Sequence, residues 1–308
     1  IWKDTISYQA AYRDLSRKIA NDIKVESLLN EATVEDVIQD DLFDLIDQKI
    51  ISDLAKMICD ETISNEKLNQ LIKKRENKYW YHDFENFYLC LANGMQMISL
   101  IRKFEKAKIE SLADGVNNYV QYLFKIDYFY RKYIFHYRQA KQNKVLQPLT
   151  DKVEKVYSND WLLAHGNEWQ QVIDAANKWY SPSRNTQHRF FNDHVKPIIS
   201  KGQRLFVIIS DGLRYECGWE YLQKIQTEKR FEGVLDYMVT TLPSYTQLGM
   251  AALLPNKNLS IQTDSDSALI EGQSTQGVVS RSKILEQFAG VRATAINAEE
   301  FVKMNSST

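Results

Sequence analysis

Proline does not occur before Pro148, and only Gly94, Gly115 and Gly166 precede residue 200, while the remaining glycines of the chain all follow it. Proline removes a backbone donor and glycine raises the entropic cost of a helix. A long stretch without either can be helical throughout, and a stretch rich in both must turn often. The expected fold is therefore α followed by α/β: a helical bundle over residues 1–180, a connecting segment over 181–203 with its boundary at Ser181-Pro182-Ser183-Arg184-Asn185, and an α/β domain with a mainly parallel sheet over 204–308.

In the first region, Phe84, Phe87, Tyr88, Leu91, Met95 and Ile98 recur at helical spacing. So do Tyr119, Tyr122, Ile126, Phe129, Tyr130, Tyr133, Ile134 and Tyr137. Tyrosine is dense between Tyr79 and Tyr137. Tyrosine faces can stack on bases or sugars, but basic and acidic residues balance here, which favours a core whose hydroxyls sit at the rim. Lys73-Lys74-Arg75 reads as a solvated face.

The second region alternates strand and helix signals. Leu205 to Ile209 is a continuous apolar run, as a strand covered on both faces requires. A helix through Tyr215, Leu222 and Ile225 is expected next, then a strand over Gly233 to Thr240, a helix from Thr246 to Leu254 and a short strand over Leu259 to Gln262. A helix over Ser282 to Phe288 ending at Gly290, a strand over Val291 to Ile296 and a helix capped by Asn297 with Glu300 complete the pattern. Ligands of such sheets gather at the carboxyl ends of strands, where Asp211 falls. Its carboxylate could hold a cation through oxygen, or could cap the following helix. Arg214 and Glu216 could pair locally, or help to hold a phosphate and a metal. Thr241, Ser244 and Thr246 place hydroxyls just before a helix of small residues, where free N–H groups favour an alkoxide or a phosphate; an ordinary N-cap is the rival reading.

Other chemistries find no support. The net charge is −1, which gives no argument for a nucleic-acid or membrane surface. Cys59, Cys90 and Cys217 lack metal-ligand spacing and cannot all pair, so they read as reduced thiols of a cytoplasmic protein. His188 and His194, six apart, fall on different faces of a helix, and His82, His136 and His165 read as surface or structural residues. No apolar run is long enough to span a membrane. Nucleotide-binding glycine loops and the serine-hydrolase elbow are absent. Asp264-Ser265-Asp266 opens like a calcium loop, but Leu269 and Thr275 stand where its glycine and glutamate belong.

Two segments carry a family resemblance. Ile208-Ile209-Ser210-Asp211-Gly212-Leu213-Arg214-Tyr215-Glu216 and Leu242-Pro243-Ser244-Tyr245-Thr246-Gln247-Leu248-Gly249-Met250-Ala251-Ala252-Leu253-Leu254-Pro255 resemble the PglZ domain of the alkaline phosphatase superfamily, found in BREX-type phage-defence systems. Gly272-Gln273-Ser274-Thr275-Gln276-Gly277 and Arg281-Ser282-Lys283-Ile284-Leu285 are similar to the same family. The helical region with Lys78-Tyr79-Trp80-Tyr81 is similar to the region that precedes the domain in BREX phosphatases.

The resemblance implies a phosphatase or phosphodiesterase with two divalent metals, usually zinc, which activate the nucleophile and stabilise the attacking and leaving oxygens. Asp211 would be a metal ligand and Thr246 the nucleophile, with Thr241 and Ser244 as rivals. Arg281 and Arg214 would hold phosphate, although Arg281 could equally serve its own helix. The substrate would be a phosphate ester, and a nucleotide, a nucleic-acid end or a phosphoprotein all satisfy the pattern. Other BREX defence proteins would be partners. The family completes its metal set with later aspartates and histidines, yet no histidine follows His194. The chain therefore reads as a fragment with an incomplete site and little activity alone. The alternative is a non-catalytic scaffold subunit whose aromatic helical region docks onto other defence proteins.

Overall fold

A computed structural model describes residues 5–142, 144–176, 185–263, 265–288 and 293–304. The expected boundary at 181–184, Asp264, Gly290, Val291 and the chain end at 305–308 lie outside them. The helices are α1 (Gln9–Asp22), α2 (Val25–Leu29), α3 (Val34–Val37), α4 (Asp44–Cys59), α5 (Asn65–Arg75), α6 (Tyr81–Phe104), α7 (Leu112–Asn118), α8 (Phe124–Gln139), α9 (Gln147–Lys155), α10 (Ala164–Ala175), α11 (Lys196–Ile199), α12 (Tyr215–Gln226), α13 (Thr246–Ala252), α14 (Gly277–Phe288) and α15 (Ala298–Lys303). The strands are β1 (Leu259–Ile261), β2 (Ala268–Ile270) and β3 (Gln273–Ser274). Two compact units result, Ile1–Ile109 with Asn118–Gln171, and Glu110–Asn117 with Val172–Thr308. No described helix is long and apolar enough to cross a membrane.

The first unit is the expected helical assembly. Ile46, Ile50, Ile51, Leu54 and Ile58 line one face of α4, and Tyr88, Leu91, Met95 and Ile98 one face of α6; all are buried with Ile126 and Tyr133 of α8 and Leu149 and Val153 of α9. Gly94 permits the close approach of these helices. A Cβ there would stand 3.2–3.3 Å from the Tyr133 ring and the Val153 side chain. Thr33 and Asp36 form a capping box on α3, and Ser64 accepts the Lys67 N–H at the start of α5. π-Helical turns at Tyr119–Leu123 and Val156–Leu163 precede α8 and follow α9.

Of the dense tyrosines Tyr81, Tyr88 and Tyr133 are buried, Tyr122 is exposed and the others are half-buried; the hydroxyls of Tyr88 and Tyr133 find partners inside rather than at the rim. Tyr133 pairs with Thr150 at 2.7 Å, both buried. Tyr119, Tyr157 and the Trp161 indole all donate to Asp127, at 2.5, 2.9 and 3.3 Å. Tyr88 donates to Asp47, and burial raises its pKa further above the ordinary tyrosine range. Burial likewise pushes the Cys90 thiol up to about 12, which makes it inert. The reading of Lys73-Lys74-Arg75 as a solvated face fails at its last residue. Arg75 is fully buried and forks onto Asp47, because helix α5 turns that position inward.

His136 lies 2.9 Å from Asn86 Oδ1, and His165 stacks on Trp161 at 4.3 Å. Burial lowers both pKa values; for His136 the charge of Lys132 adds to it. The unfolded chain then takes up these protons more readily than the folded one. The stability they contribute is complete above the unfolded value of about 6.5 and is lost as pH falls through it. The urea midpoint is expected to fall between about pH 7.5 and about pH 5.5, and to fall less in the His136→Gln, His165→Gln double variant. Equal slopes in the two proteins would contradict this.

The second unit departs from the expected parallel sheet. Its strands form a small antiparallel sheet in the order β1-β2-β3, with Leu259 opposite Ile270 and Ile270 opposite Gln273. β1 matches the expected strand; β2 and β3 were not foreseen. The run Leu205 to Ile209 is no strand, for a strand needs a paired ladder and this run has none among the described residues. Phe206 is 65% and Ile208 90% exposed. The strand expected over Gly233 to Thr240 is reduced to a single parallel bridge between Thr186 and Val239. Residues 293–296 of the last expected strand carry no ladder. The helices fare better. α12 and α13 stand where expected, α13 ending at Ala252, and α14 begins earlier, at Gly277. Asn297 is the N-cap residue of α15, but its side chain makes no capping bond. Leu248, Ala251 and Leu254 around α13, Ala268 and Ile270 of β2 and Ile284 of α14 form this unit's own core.

Candidate active site

Two local features bring one carboxylate to one hydroxyl. Ser210 accepts the Leu213 N–H, and Gly212 sits at φ +68°, a turn that leaves Asp211 exposed ahead of α12. On the other side, Leu248 and Ala251 pack α13 into the small core, which fixes its first residue, Thr246. The Thr246 hydroxyl lies 3.4 and 3.5 Å from the two oxygens of Asp211.

The capping readings do not describe these residues. The N-cap of α12 is Arg214 and that of α13 is Tyr245, and neither helix has a side-chain capping bond. Asp211 precedes its helix by several residues, and Thr246 is already inside its own. With seven residues, α13 is also shorter than expected, so its dipole adds less to the site.

The rival hydroxyls point elsewhere. Thr241 Oγ1 donates to Gln187 Oε1 at 3.4 Å, and Ser244 lies 3.5 Å from the Thr240 hydroxyl. Arg281 is half-buried; its Nε donates to the Thr275 carbonyl at 3.0 Å and its Nη2 to Gln247 Oε1 at 3.5 Å. This holds the guanidinium beside the residue that follows Thr246, with other donors of its fork unspent. Arg214 is exposed, whereas Glu216 is buried at 3% exposure in the first turn of α12. The local pair suggested for them is not among the described ion pairs.

Sequence reasoning missed Gln187. Its Oε1 accepts from the Thr241 N–H at 3.1 Å and from the hydroxyls of Thr240 and Thr241. Its own N–H donates to the Val239 carbonyl at 3.2 Å, and the Val239 N–H to Asn185 at 2.8 Å. A Cβ on Gly249 of α13 would meet the Gln187 amide at 3.7 Å. A glutamine in a proline- and serine-bounded connector carries no sequence signal for such contacts.

Asp211 and Thr246 offer two oxygen donors, whereas a zinc centre takes three or four protein ligands. No group of three His, Cys, Asp or Glu able to hold a metal occurs among the described residues. Asp211 and Thr246 by themselves do not complete a zinc centre.

Residues 190–308 match the family described as the BREX system PglZ alkaline phosphatase-like domain. The chain is 31% identical over 99% of its length to the alkaline phosphatase-like protein BrxZ of Escherichia coli O9:H4 (strain HS). It is 28% identical over 96% of its length to the alkaline phosphatase-like protein PglZ of Bacillus cereus (strain H3081.97). It spans 36% and 35% of those two curated relatives. No solved structure matches it significantly.

Proposed function

We propose, on the premise that residues 190–308 are a PglZ domain of the BREX-associated, phosphatase-like family, that this chain carries the nucleophile side of a phosphoryl-transfer centre. The observation that carries the reading is the Thr246 hydroxyl at 3.4 Å from the Asp211 carboxylate. A hydroxyl that donates to a carboxylate can pass it a proton as it attacks. Those of Thr240 and Thr241 donate to a neutral amide oxygen, which is no base. Thr246 Oγ1 forms the bond to phosphorus, the ester oxygen leaves, and the proton moves to Asp211. Water then clears the phosphothreonine. Arg281, already held next to Gln247, steadies the phosphoryl oxygens.

Asp211 is also the residue of this set best suited to a hard or borderline cation, and is proposed as one ligand of a divalent metal, zinc first. The substrate is a phosphate ester, with nucleotides and nucleic-acid ends among the candidates, and the setting is cytoplasmic phage defence beside other BREX proteins. The test is hydrolysis of p-nitrophenyl phosphate and bis(p-nitrophenyl) phosphate by the full-length protein, with and without added zinc. Turnover that depends on Asp211 and Thr246 supports the reading. Absence of turnover, or turnover indifferent to both residues, sinks it and favours a scaffold role.

A further inference from the structure

We infer that Gln187 is the positioning residue of this site, an inference that rests on the phosphoryl-transfer reading. Its backbone and its side chain bind the same short segment, Val239 to Thr241, which leads into α13. The contact from the backbone is the Gln187 N–H bond to the Val239 carbonyl, which with the Val239 N–H bond to Asn185 makes up the parallel bridge between Thr186 and Val239. The contact from the side chain is the amide oxygen that gathers the Thr241 N–H and two hydroxyls within 3.1–3.4 Å. The same amide stands against Gly249, one turn into the helix that Thr246 begins.

Two consequences follow for the chemistry. Oε1 takes the Thr241 N–H at 3.1 Å on one lone pair and leaves the other to the Thr240 and Thr241 hydroxyls at 3.2 and 3.4 Å, so the side chain ties down the segment before the nucleophile in addition to the backbone bond. Because that oxygen is a neutral amide acceptor, a Thr240 or Thr241 hydroxyl that donates to it finds no base there. Gln187 thus fixes where Thr246 meets Asp211 and keeps the neighbouring hydroxyls out of the reaction. A displacement of about 1 Å of a reacting group costs on the order of a hundredfold in rate, so such a clamp has kinetic weight.

The variants Gln187→Leu and Gln187→Glu separate this role from simple packing. Leucine fills the space without an acceptor, whereas glutamate retains an oxygen where Oε1 stands. Two readouts are taken on the full-length protein: amide hydrogen exchange across residues 239–248, and kcat and KM for p-nitrophenyl phosphate with added zinc. In Gln187→Leu, exchange across that segment is expected to rise about tenfold, and kcat to fall ten- to about a hundredfold with KM within about twofold. In Gln187→Glu, which keeps an acceptor but puts a base beside the Thr240 and Thr241 hydroxyls, exchange is expected to stay near that of the unsubstituted chain and kcat to lie above that of Gln187→Leu. Unchanged exchange in Gln187→Leu overturns the clamp, as does a glutamate variant no better than the leucine one. Raised exchange with unchanged kcat overturns the link to Thr246. If exchange behaves as expected but the unsubstituted chain hydrolyses no ester, the clamp stands and the phosphoryl-transfer reading is what fails.

Discussion

Thr246→Ala in the full-length protein is expected to lower turnover of phosphate esters by about three orders of magnitude or more, while the unfolding of the helical unit stays unchanged. The size follows from what is removed. An attacking oxygen has no substitute once the proposed covalent step depends on it, and losses of this order are usual when a nucleophile is deleted. The stability should hold because Thr246 is exposed and its hydroxyl caps nothing. Thr246→Ser keeps a hydroxyl at the same position and should retain a measurable part of the rate. Asp211→Ala should cost about as much as Thr246→Ala if one unit performs the step, and the double variant little more than either. Additive losses would mean that the two residues act separately. A Thr241→Ala variant that lost as much would move the chemistry onto the rival hydroxyl.

Asp47→Ala is expected to destabilise the helical unit by about 3–5 kcal/mol, read from urea unfolding followed by tryptophan fluorescence. Asp47 and Arg75 are both fully buried. The guanidinium gives Nε to Oδ1 at 3.1 Å and Nη2 to Oδ2 at 2.6 Å, and Nη1 reaches the carbonyls of Ile38 and Asp40 at 3.0 and 2.6 Å. Tyr88 completes the carboxylate from α6. Alanine at 47 leaves a buried cation without its counter-charge and a buried tyrosine hydroxyl without its acceptor, which is far costlier than the pair is worth intact. Asp47→Leu with Arg75→Met removes both charges, and should recover a large part of the loss. Tyr88→Phe, which leaves the ion pair in place, should cost about 1–2 kcal/mol. A loss below about 1 kcal/mol in Asp47→Ala would show that water reaches the pair.

These two residues also show where sequence reading stops. Arg75 closes a run of three cations, and nothing local distinguishes it from Lys73 and Lys74. What buries it is Asp47, far back on another helix. By contrast, α4 and α6 were legible because their apolar residues repeat at a helical period, which is a property of the local chain alone. The same distinction explains the second unit. Helices α12 and α13 follow from local signals, including Pro243 before the one and small residues within it. The run Leu205 to Ile209 carries the composition of a doubly covered strand, but composition does not supply the neighbours, and among the described residues none pairs with it. The β2–β3 turn did leave a trace. Glu271 and Gly272, the two residues between β2 and β3, both take positive φ, and a two-residue turn ending in glycine is a hairpin signal.

At the site, Asp211 and Thr246 were legible because each lies in a distinctive segment, and the structure places their oxygens together. Their metal-ligand and nucleophile roles are proposals that rest on that contact and on the family. The arrangement by Gln187 was illegible, since its three acceptor contacts exist only once residues some fifty positions apart meet.

The most direct test is to trap the covalent step. The full-length protein is mixed with p-nitrophenyl phosphate and zinc, quenched in acid within the first turnover, digested and sequenced by fragmentation mass spectrometry. One phosphoryl group on Thr246, absent from Asp211→Ala, is the predicted result. A phosphoryl group on Thr241 or Ser244 instead, or steady hydrolysis with no labelled residue in the segment from Thr240 to Thr246, would contradict the account.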